Sequence, residues 1–239
     1  MPSLSSYMNT GYNVLLDILF PISCLGCKKP KQYICDACIQ SIAPATDILY
    51  STHALPTLTR ENLSGVVPVA SYQQSQLLQK ALHALKYNFI TSLAQPLGKS
   101  MAHRLHAFLT LNPKSWIMLP VPLHPRKKRE RGFNQNELLM GSCIACLPPQ
   151  TKQHLTLLYD SQSPLVRSRY SATQVRSSKL SRISNMHNAF KIKDSSIIKG
   201  RSVIIVDDVI TTGATLKAAA SAVKNAGAHE VWGFVLAYD

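Results

Sequence analysis

The sequence predicts an α/β fold: a doubly wound parallel sheet flanked by helices, preceded by a small four-cysteine lobe. From about residue 65 onward, short branched apolar runs alternate with amphipathic stretches of helical spacing. Near the C-terminus this pattern gives a strand, a turn, a helix and a second strand, which is a βαβ unit. Four of the six cysteines fall between residues 24 and 38. A hydrophobic content of 46% over 239 residues is that of a globular protein and excludes a disordered chain.

Composition divides the chain into three parts. Residues 1–45 are expected to form an N-terminal helix and the cysteine lobe. Residues 46–64 contain several threonines and serines and a proline, and are predicted to be a linker. Residues 65–239 are expected to form the main α/β domain.

The elements of the main domain follow from the spacing of apolar residues. Val66–Ser71 is predicted to be an edge strand because Pro68 interrupts its β-branched run. Leucine and alanine recur at helical spacing in Gln76–Tyr87 and again in Leu93–Leu109. Trp116–Val121 is a short apolar run, which predicts a buried strand that ends in a loop. The remaining predicted elements are a helix at Asn134–Cys146, a central parallel strand at Val203–Val206, a helix at Thr215–Ala226 and a strand at Val231–Leu236.

Positive charge is in excess and unevenly distributed. Lysine and arginine outnumber aspartate and glutamate 26 to 12, and the middle of the chain, residues 121–191, is its most basic part. This excess points to phosphate-rich ligands, nucleic acid or an anionic membrane surface. No stretch reaches the roughly 18 apolar residues of a membrane span, and the first residues lack a secretory signal pattern. We therefore expect a cytoplasmic protein, in which cysteines bind metal or stay reduced.

The cysteine lobe has the ligand spacing of a zinc site. Two Cys-x2-Cys pairs are separated by seven residues, so a short hairpin would bring four thiolates around one tetrahedral ion. Binding would supply the folding energy that so small a lobe lacks. Four unliganded cysteines in a loop are the alternative. Because four thiolates leave no open coordination position, the zinc would be structural; its ligands would be Cys24, Cys27, Cys35 and Cys38.

A second Cys-x2-Cys pair, Cys143 and Cys146, lies in the predicted helix Asn134–Cys146. A redox pair would need the helix N-terminus to lower a thiol pKa, and this pair is at the opposite end. Both cysteines are therefore interpreted as small buried apolar residues.

The most specific segment is Val203–Thr215, with the sequence VIIVDDVITTGAT. A buried strand is expected to present Asp207 and Asp208 at its carboxyl end, facing one crevice, before a loop that opens a helix. Gly213 would let backbone N–H groups approach a phosphate at the helix N-terminus. Two carboxylates suit either vicinal ribose hydroxyls or a Mg²⁺ ion that arrives with a polyphosphate. The alternative is a strand-turn-helix whose acids only cap the helix.

A run of five basic residues has three interpretations. It could clamp a phosphate, contact nucleic acid with Phe133 as a stacking ring, or form a solvated loop. Lys86 ends the first helix of the main domain, where the helix dipole alone would favour it. The candidates for DNA or pyrophosphate contact are Lys86, Arg126, Lys127, Lys128, Arg129 and Arg131.

The acidic segment resembles the phosphoribosyl pyrophosphate (PRPP) motif of the type I phosphoribosyltransferases. Nearly the whole chain resembles the ComF family, also called GntX-like, whose members are competence-associated. The sequence departs from the family pattern at Gln73, Gln74, Ser171 and Ser177. The similar motifs include Leu15–Asp17, Phe20-Pro21, the four N-terminal cysteines, Leu85–Tyr87, Pro120–Pro125, Arg131–Gln135, Gln174, Arg182, Asn185 and Ala189-Phe190.

This resemblance implies a type I phosphoribosyltransferase-like domain and assigns roles to individual residues. Asp207 and Asp208 would meet the ribose hydroxyls of PRPP and, with Arg182, form the catalytic group. A mobile loop would correspond to about 167–185, and Mg²⁺ would accompany PRPP. The PRPP-binding set would be Asp207, Asp208, the 5′-phosphate loop Thr211, Thr212, Gly213, Ala214 and Thr215, and Pro122 and Leu123 of the pyrophosphate turn.

The resemblance also implies a biological role. A ComF-type competence protein would bind PRPP or a related ribose phosphate and handle single-stranded DNA during natural transformation. It would act at the inner face of the inner membrane, beside the competence helicase or translocation proteins. Two alternatives remain: an active phosphoribosyltransferase with an unidentified acceptor, and a nucleic-acid-binding protein with a vestigial site.

Overall fold

The structure, a computed structural model, describes residues 21–42, 44–45, 62–159, 161–168 and 189–239. A short 3₁₀ turn at Thr91–Leu93 precedes the helix that begins at Ala94. The described elements are, in chain order, α1 (Asp36–Gln40), β1 (Gly65–Ser71), α2 (Gln76–Tyr87), α3 (Ala94–Leu111), β2 (Trp116–Pro120), α4 (Pro125–Arg131), α5 (Gln135–Ala145), α6 (Pro149–Lys152), β3 (Leu155–Leu157), β4 (Leu165–Arg167), β5 (Phe190–Ile192), β6 (Ser202–Ile210), α7 (Ala214–Asn225) and β7 (Glu230–Tyr238).

Five strands form one parallel sheet in the order β1-β7-β6-β2-β3. The predicted central strand is confirmed as β6, which pairs with β7 on one side and β2 on the other. The predicted edge strand is also confirmed, because β1 ends the sheet, and Pro68 lies there in register with Val235. The strands β4 and β5 form a separate antiparallel pair.

Helices cover both faces of this sheet, which is why Val203–Val206 is apolar without interruption. Successive strand side chains point to opposite faces. Ile204 and Val206 belong to the apolar cluster that includes buried residues of α2, α3 and α5. Val203 and Ile205 belong to the second cluster, which includes buried residues of α7. The two clusters thus lie on opposite faces of β6, and its carboxyl end lies at the middle of one edge of the sheet.

Close packing fixes α5 on α3. A Cβ at Gly98 in α3 would lie 2.7 Å from the backbone nitrogen of Cys143 in α5, so glycine is needed where the two helices meet. The N-terminus of α5 is thereby held beside the end of β6, where the candidate site lies.

The structure corrects three of the sequence expectations. The strand β6 continues to Ile210, so Asp207 and Asp208 lie within it, because β7 pairs with it as far as Tyr238. The basic run is a helix, α4, that begins at Pro125 and ends before Gly132, whose φ is 79°. Cys143 is buried as expected, but Cys146 lies just beyond α5 and is exposed.

Across the described ranges, the helices all lack the combination of length and apolar composition that crossing a bilayer requires.

Candidate functional site

The four N-terminal cysteines converge on one point. Their sulfur atoms all lie within 4.8 Å of one another. The Sγ atom of Cys35 is 3.8 Å from that of Cys24 and 3.6 Å from that of Cys27. Four sulfurs at about 2.3 Å from one tetrahedral ion would be separated by about 3.8 Å, so this set fits zinc. A Cβ at Gly26 would lie only 2.7 Å from Cys38 Sγ, so the turn needs glycine there.

The thiols of this cluster differ strongly in acidity. Burial disfavours the Cys24 thiolate, but backbone hydrogen bonds from Cys27, Cys35 and Gly26 outweigh it and lower its pKa to about 6. Hydrogen bonds with Cys35, Cys27 and Cys24, together with burial, raise the pKa of Cys38 to about 12. Four thiolates this close need a cation between them, which is the condition that a bound metal ion satisfies.

The two aspartates of β6 are buried and hydrogen-bonded. Asp208 accepts a hydrogen bond from Lys86 Nζ at 2.7 Å and another from Gln135 Nε2 at 2.6 Å. Asp207 Oδ1 accepts one from Asn136 Nδ2 at 2.9 Å. The side chain of Asp208 lies on the strand face that packs on α2 and α5, and Asp207 starts from the opposite face. Although the two side chains leave the strand on opposite faces, both carboxylates contact the first residues of α5. That they face one crevice therefore stays a prediction.

The charges and burial around the two aspartates raise the pKa of Asp207. Burial and the neighbouring charge of Asp208 raise the pKa of Asp207 to about 7, against the opposing effects of Lys86 and Asn136. Burial works to lower the pKa of Lys86, but the charges of Asp208 and Asp207 outweigh it, so that pKa is above its usual value. Lys86 therefore stays protonated at neutral pH and compensates part of the negative charge.

The start of α5 completes this group, and sequence reasoning assigned it no role. Asn134 caps the helix, because its side-chain Oδ1 accepts a hydrogen bond from Asn136 N at 3.1 Å. Its Nδ2 donates to Val121 O, just after β2. This anchor places Gln135 against Asp208 and Asn136 against Asp207. The signal in the sequence is three consecutive amide residues, Asn134–Asn136, at the start of a predicted helix.

One buried oxygen at this position lacks a donor. Among the described residues, Asn136 Oδ1 has no hydrogen-bond partner, although its amide nitrogen contacts Asp207. Mg²⁺ is commonly held by one or two carboxylates together with substrate phosphates, so Asp207 and Asp208 are the residues that would hold it.

The loop after β6 is open to solvent, and its backbone conformation would let a ligand approach its N–H groups closely. Thr211 and Thr212 are exposed, whereas Gly213 is buried with a φ of 74°, a conformation that favours glycine. The 12-residue helix α7 begins immediately afterwards at Ala214. The first-turn N–H groups of a helix have no partner within the helix, so the Thr211–Thr215 loop offers donors to an anion.

A cleft with basic walls lies at the predicted pyrophosphate turn. It has a volume of about 540 Å³ and includes Pro122, Leu123, Lys128 and Arg129 in its lining, together with residues of β4. Burial and the positive charges of Arg167 and Arg131 lower the pKa of Lys127 beside it. Positive side chains are thus concentrated here, as anion binding requires.

The predicted site residues are therefore partly brought together. Asp207, Asp208, Lys86 and the start of α5 form one hydrogen-bonded group. Arg131 of the basic helix joins it by donating to Gln135 Oε1. Arg182 and most of the predicted mobile loop lie outside the described residues.

Known proteins provide a comparison. The family described as phosphoribosyl transferase domain matches residues 158–239. DNA utilization protein YhgH of Escherichia coli K12 is 34% identical over 175 residues, which are 70% of each chain. Competence protein ComFC of Bacillus subtilis is 25% identical over 214 residues, 83% of this chain and 81% of that protein.

Two further similarities are more limited. Competence protein F of Haemophilus influenzae is 32% identical over 123 residues, half of each chain. A hypoxanthine phosphoribosyltransferase structure from Staphylococcus aureus superposes with a TM-score of 0.40 at 15% identity, covering 61% of this chain and 65% of that chain. The relatives named for competence and DNA utilization, the domain match and the parallel sheet lead to one conclusion: this chain belongs to the ComF family and has a phosphoribosyltransferase-like domain.

Proposed function

We propose that this protein binds PRPP, or a related ribose phosphate, and handles single-stranded DNA during natural transformation. The observation that supports the proposal is a convergence at one edge of the sheet. A buried acid pair, an amide-rich helix start and a glycine loop before a helix all lie at the end of β6. A basic helix adjoins them through Arg131.

Each part of this edge has a chemical role in the proposal. Asp207 and Asp208 would accept hydrogen bonds from the ribose hydroxyls, and the loop Thr211–Thr215 would bind the 5′-phosphate. The turn Pro122-Leu123 would accommodate the pyrophosphate, with Lys86 and the basic helix α4 supplying positive charge. Arg182 would complete the catalytic group. Mg²⁺, when bound, would neutralise phosphate charge beside Asp207 and Asp208.

The DNA part of the proposal comes from charge and from the relatives. The net charge of +14 and the exposed Arg126 and Arg129 of α4 suit a polyanion. Relatives bear the names DNA utilization protein and competence protein. We place the protein in the cytoplasm, at the inner face of the inner membrane, with the competence helicase or translocation proteins as partners.

Zinc has a structural role in the proposal. Residues 1–45, bearing the four-cysteine site, would form a lobe that the linker 46–64 joins to the phosphoribosyltransferase-like domain 65–239. Most of the linker lies outside the described residues. Contact between Ala45 N and Val69 O, at 2.8 Å, ties the end of the lobe to the edge strand β1.

Calorimetry with PRPP and Mg²⁺ tests the ribose-phosphate site. The double variant Asp207→Asn with Asp208→Asn should bind at least about tenfold more weakly, because two charged acceptors are lost. Thr211→Val, on the exposed loop, should weaken binding without affecting folding. The exposed Asp194→Asn, which makes the same type of substitution outside the site, is the control and should bind as wild type does. Wild-type affinity in all variants would refute the site.

Two further measurements separate the functional classes. Release of pyrophosphate in the presence of a nucleobase or amine panel would establish an active phosphoribosyltransferase instead. In a naturally competent host, the Asp207→Asn/Asp208→Asn variant should lower transformation frequency. Normal transformation by that variant would favour a nucleic-acid-binding protein with a vestigial site.

A further inference from the structure

Two aromatic side chains are strongly exposed beside the candidate site. Tyr87 is 60% exposed and Phe89 is 53% exposed, and Leu111 is the other large apolar side chain exposed in the described ranges. Tyr87 is the last residue of α2, directly after the Lys86 that contacts Asp208. Exposure of two rings within three residues, at the rim of a polar site, calls for a ligand with an apolar face.

The backbone at Phe89 is unusual for its residue type. Its φ is 58°, in the left-handed region that glycine or asparagine commonly occupies after a helix. A bulky residue there is strained, because its Cβ lies close to the following carbonyl oxygen. Since the ring is exposed, burial in the core does not compensate for this strain. The ring is therefore held outward at a cost that a binding role would explain.

Both rings contact side chains next to the basic helix: Phe89 contacts the ring of Phe133, and Tyr87 contacts the guanidinium of Arg131. Phe89 meets Phe133 edge-on, with centroids 6.5 Å apart and an interplanar angle of 87°. The Arg131 guanidinium lies 5.6 Å from the centroid of the Tyr87 ring. Phe133 lies between α4 and α5, so these contacts join the end of α2 to the basic helix. We call Tyr87, Phe89 and Phe133 the aromatic rim.

We propose that the aromatic rim stacks unpaired bases of single-stranded DNA whose phosphates follow the basic helix α4. Proteins that bind single strands combine aromatic platforms with a positively charged track, and both are adjacent here. The inference rests on the proposed DNA-handling function and adds the residues that contact the bases. A lipid surface fits less well, because two exposed rings offer little apolar area for insertion.

Fluorescence anisotropy with a labelled oligothymidylate of about 15 nucleotides tests the rim. The variant Tyr87→Ala/Phe89→Ala should bind at least about tenfold more weakly, while the salt slope stays that of wild type, since phosphate contacts remain. An abasic oligonucleotide of equal length should bind wild type at least as weakly as the thymidylate binds this variant, which keeps Phe133. Tyr87→Phe, which keeps the ring, and Leu111→Ala, which removes a distant exposed side chain, are the controls.

Phe89→Gly separates the ligand role from a structural one. Glycine relieves the left-handed strain, so thermal stability should be kept or raised while DNA affinity falls. Loss of both stability and affinity would show that Phe89 is structural and would overturn its role.

The outcomes distinguish this inference from the proposed function. No binding of any oligonucleotide by wild type at low salt would overturn both. Binding by wild type that the rim variants keep, with thymidylate and abasic strands alike, would overturn the rim alone. Variants that lose only binding to anionic phospholipid vesicles would identify a membrane contact and would also overturn it.

Discussion

The cysteine lobe and the acid pair of β6 are both polar clusters, but the chain builds them differently. The four cysteines lie within fifteen residues, and a short turn and helix bring their sulfurs together. The acid pair is completed by residues far away in sequence: Lys86 is 122 positions from Asp208, and Asn136 is 71 positions from Asp207. We expect the first cluster to depend on a metal ion, whereas the second depends on the packed helices α2 and α5.

The largest loss of stability is expected when zinc is removed from the cysteine lobe. Chelation, or Cys24→Ser, should unfold the lobe, because a structural zinc ion supplies about 10 kcal/mol of folding free energy in small domains. Metal analysis, proteolysis of the lobe and thermal unfolding measure this effect. Cys146→Ser, at an exposed cysteine outside the cluster, is the control and should keep one equivalent of zinc. A lobe that resists proteolysis without metal would contradict the assignment.

A smaller loss of stability is expected when the acid pair loses the positive charge of Lys86. Lys86→Met should lower the free energy of unfolding by about 3 kcal/mol, because the buried Asp208 charge loses its partner. Adding Asp208→Asn should restore much of that loss. The control is Lys114→Met, at the more exposed pair with Glu230, where a change below about 1 kcal/mol is expected. Urea unfolding of the zinc-loaded protein at neutral pH makes the comparison. Equal losses at both lysines would mean that burial does not distinguish them.

Features built from neighbouring residues could be predicted from the sequence, and features built from distant residues could not. Spacing alone identified the cysteine cluster, the central strand and the glycine loop, because ligand spacing and apolar runs are local properties. It could not identify Gln135 and Asn136 as partners of the aspartates, because their contacts depend on how α5 packs on α3. Nor could it show that Lys86 reaches Asp208 or that Tyr87 and Phe89 stay exposed. The helix α4 was within reach of sequence reasoning, because a proline at its start and a glycine after its end, Pro125 and Gly132, are ordinary boundary signals.

The smallest predicted effect concerns the pH dependence of stability at Asp207. Its pKa is raised to about 7 in the folded protein, mainly by burial and then by Asp208, from an ordinary value of 3.8. Between these values the folded state binds more protons than the unfolded state, so the free energy of unfolding should fall as pH rises through this window. The slope from this one group is at most about 1.4 kcal/mol per pH unit.

Asp207→Asn isolates that contribution, because other titrating groups remain in both proteins. The difference in unfolding free energy between variant and wild type should change in favour of the variant as pH rises from 5 to 7, and stay constant above about pH 8. Urea titrations across this range, with Asp194→Asn as the exposed control, measure it. A constant difference at all pH values would mean that Asp207 ionises normally, and that Lys86 and Asn136 stabilise its charge as fully as water does.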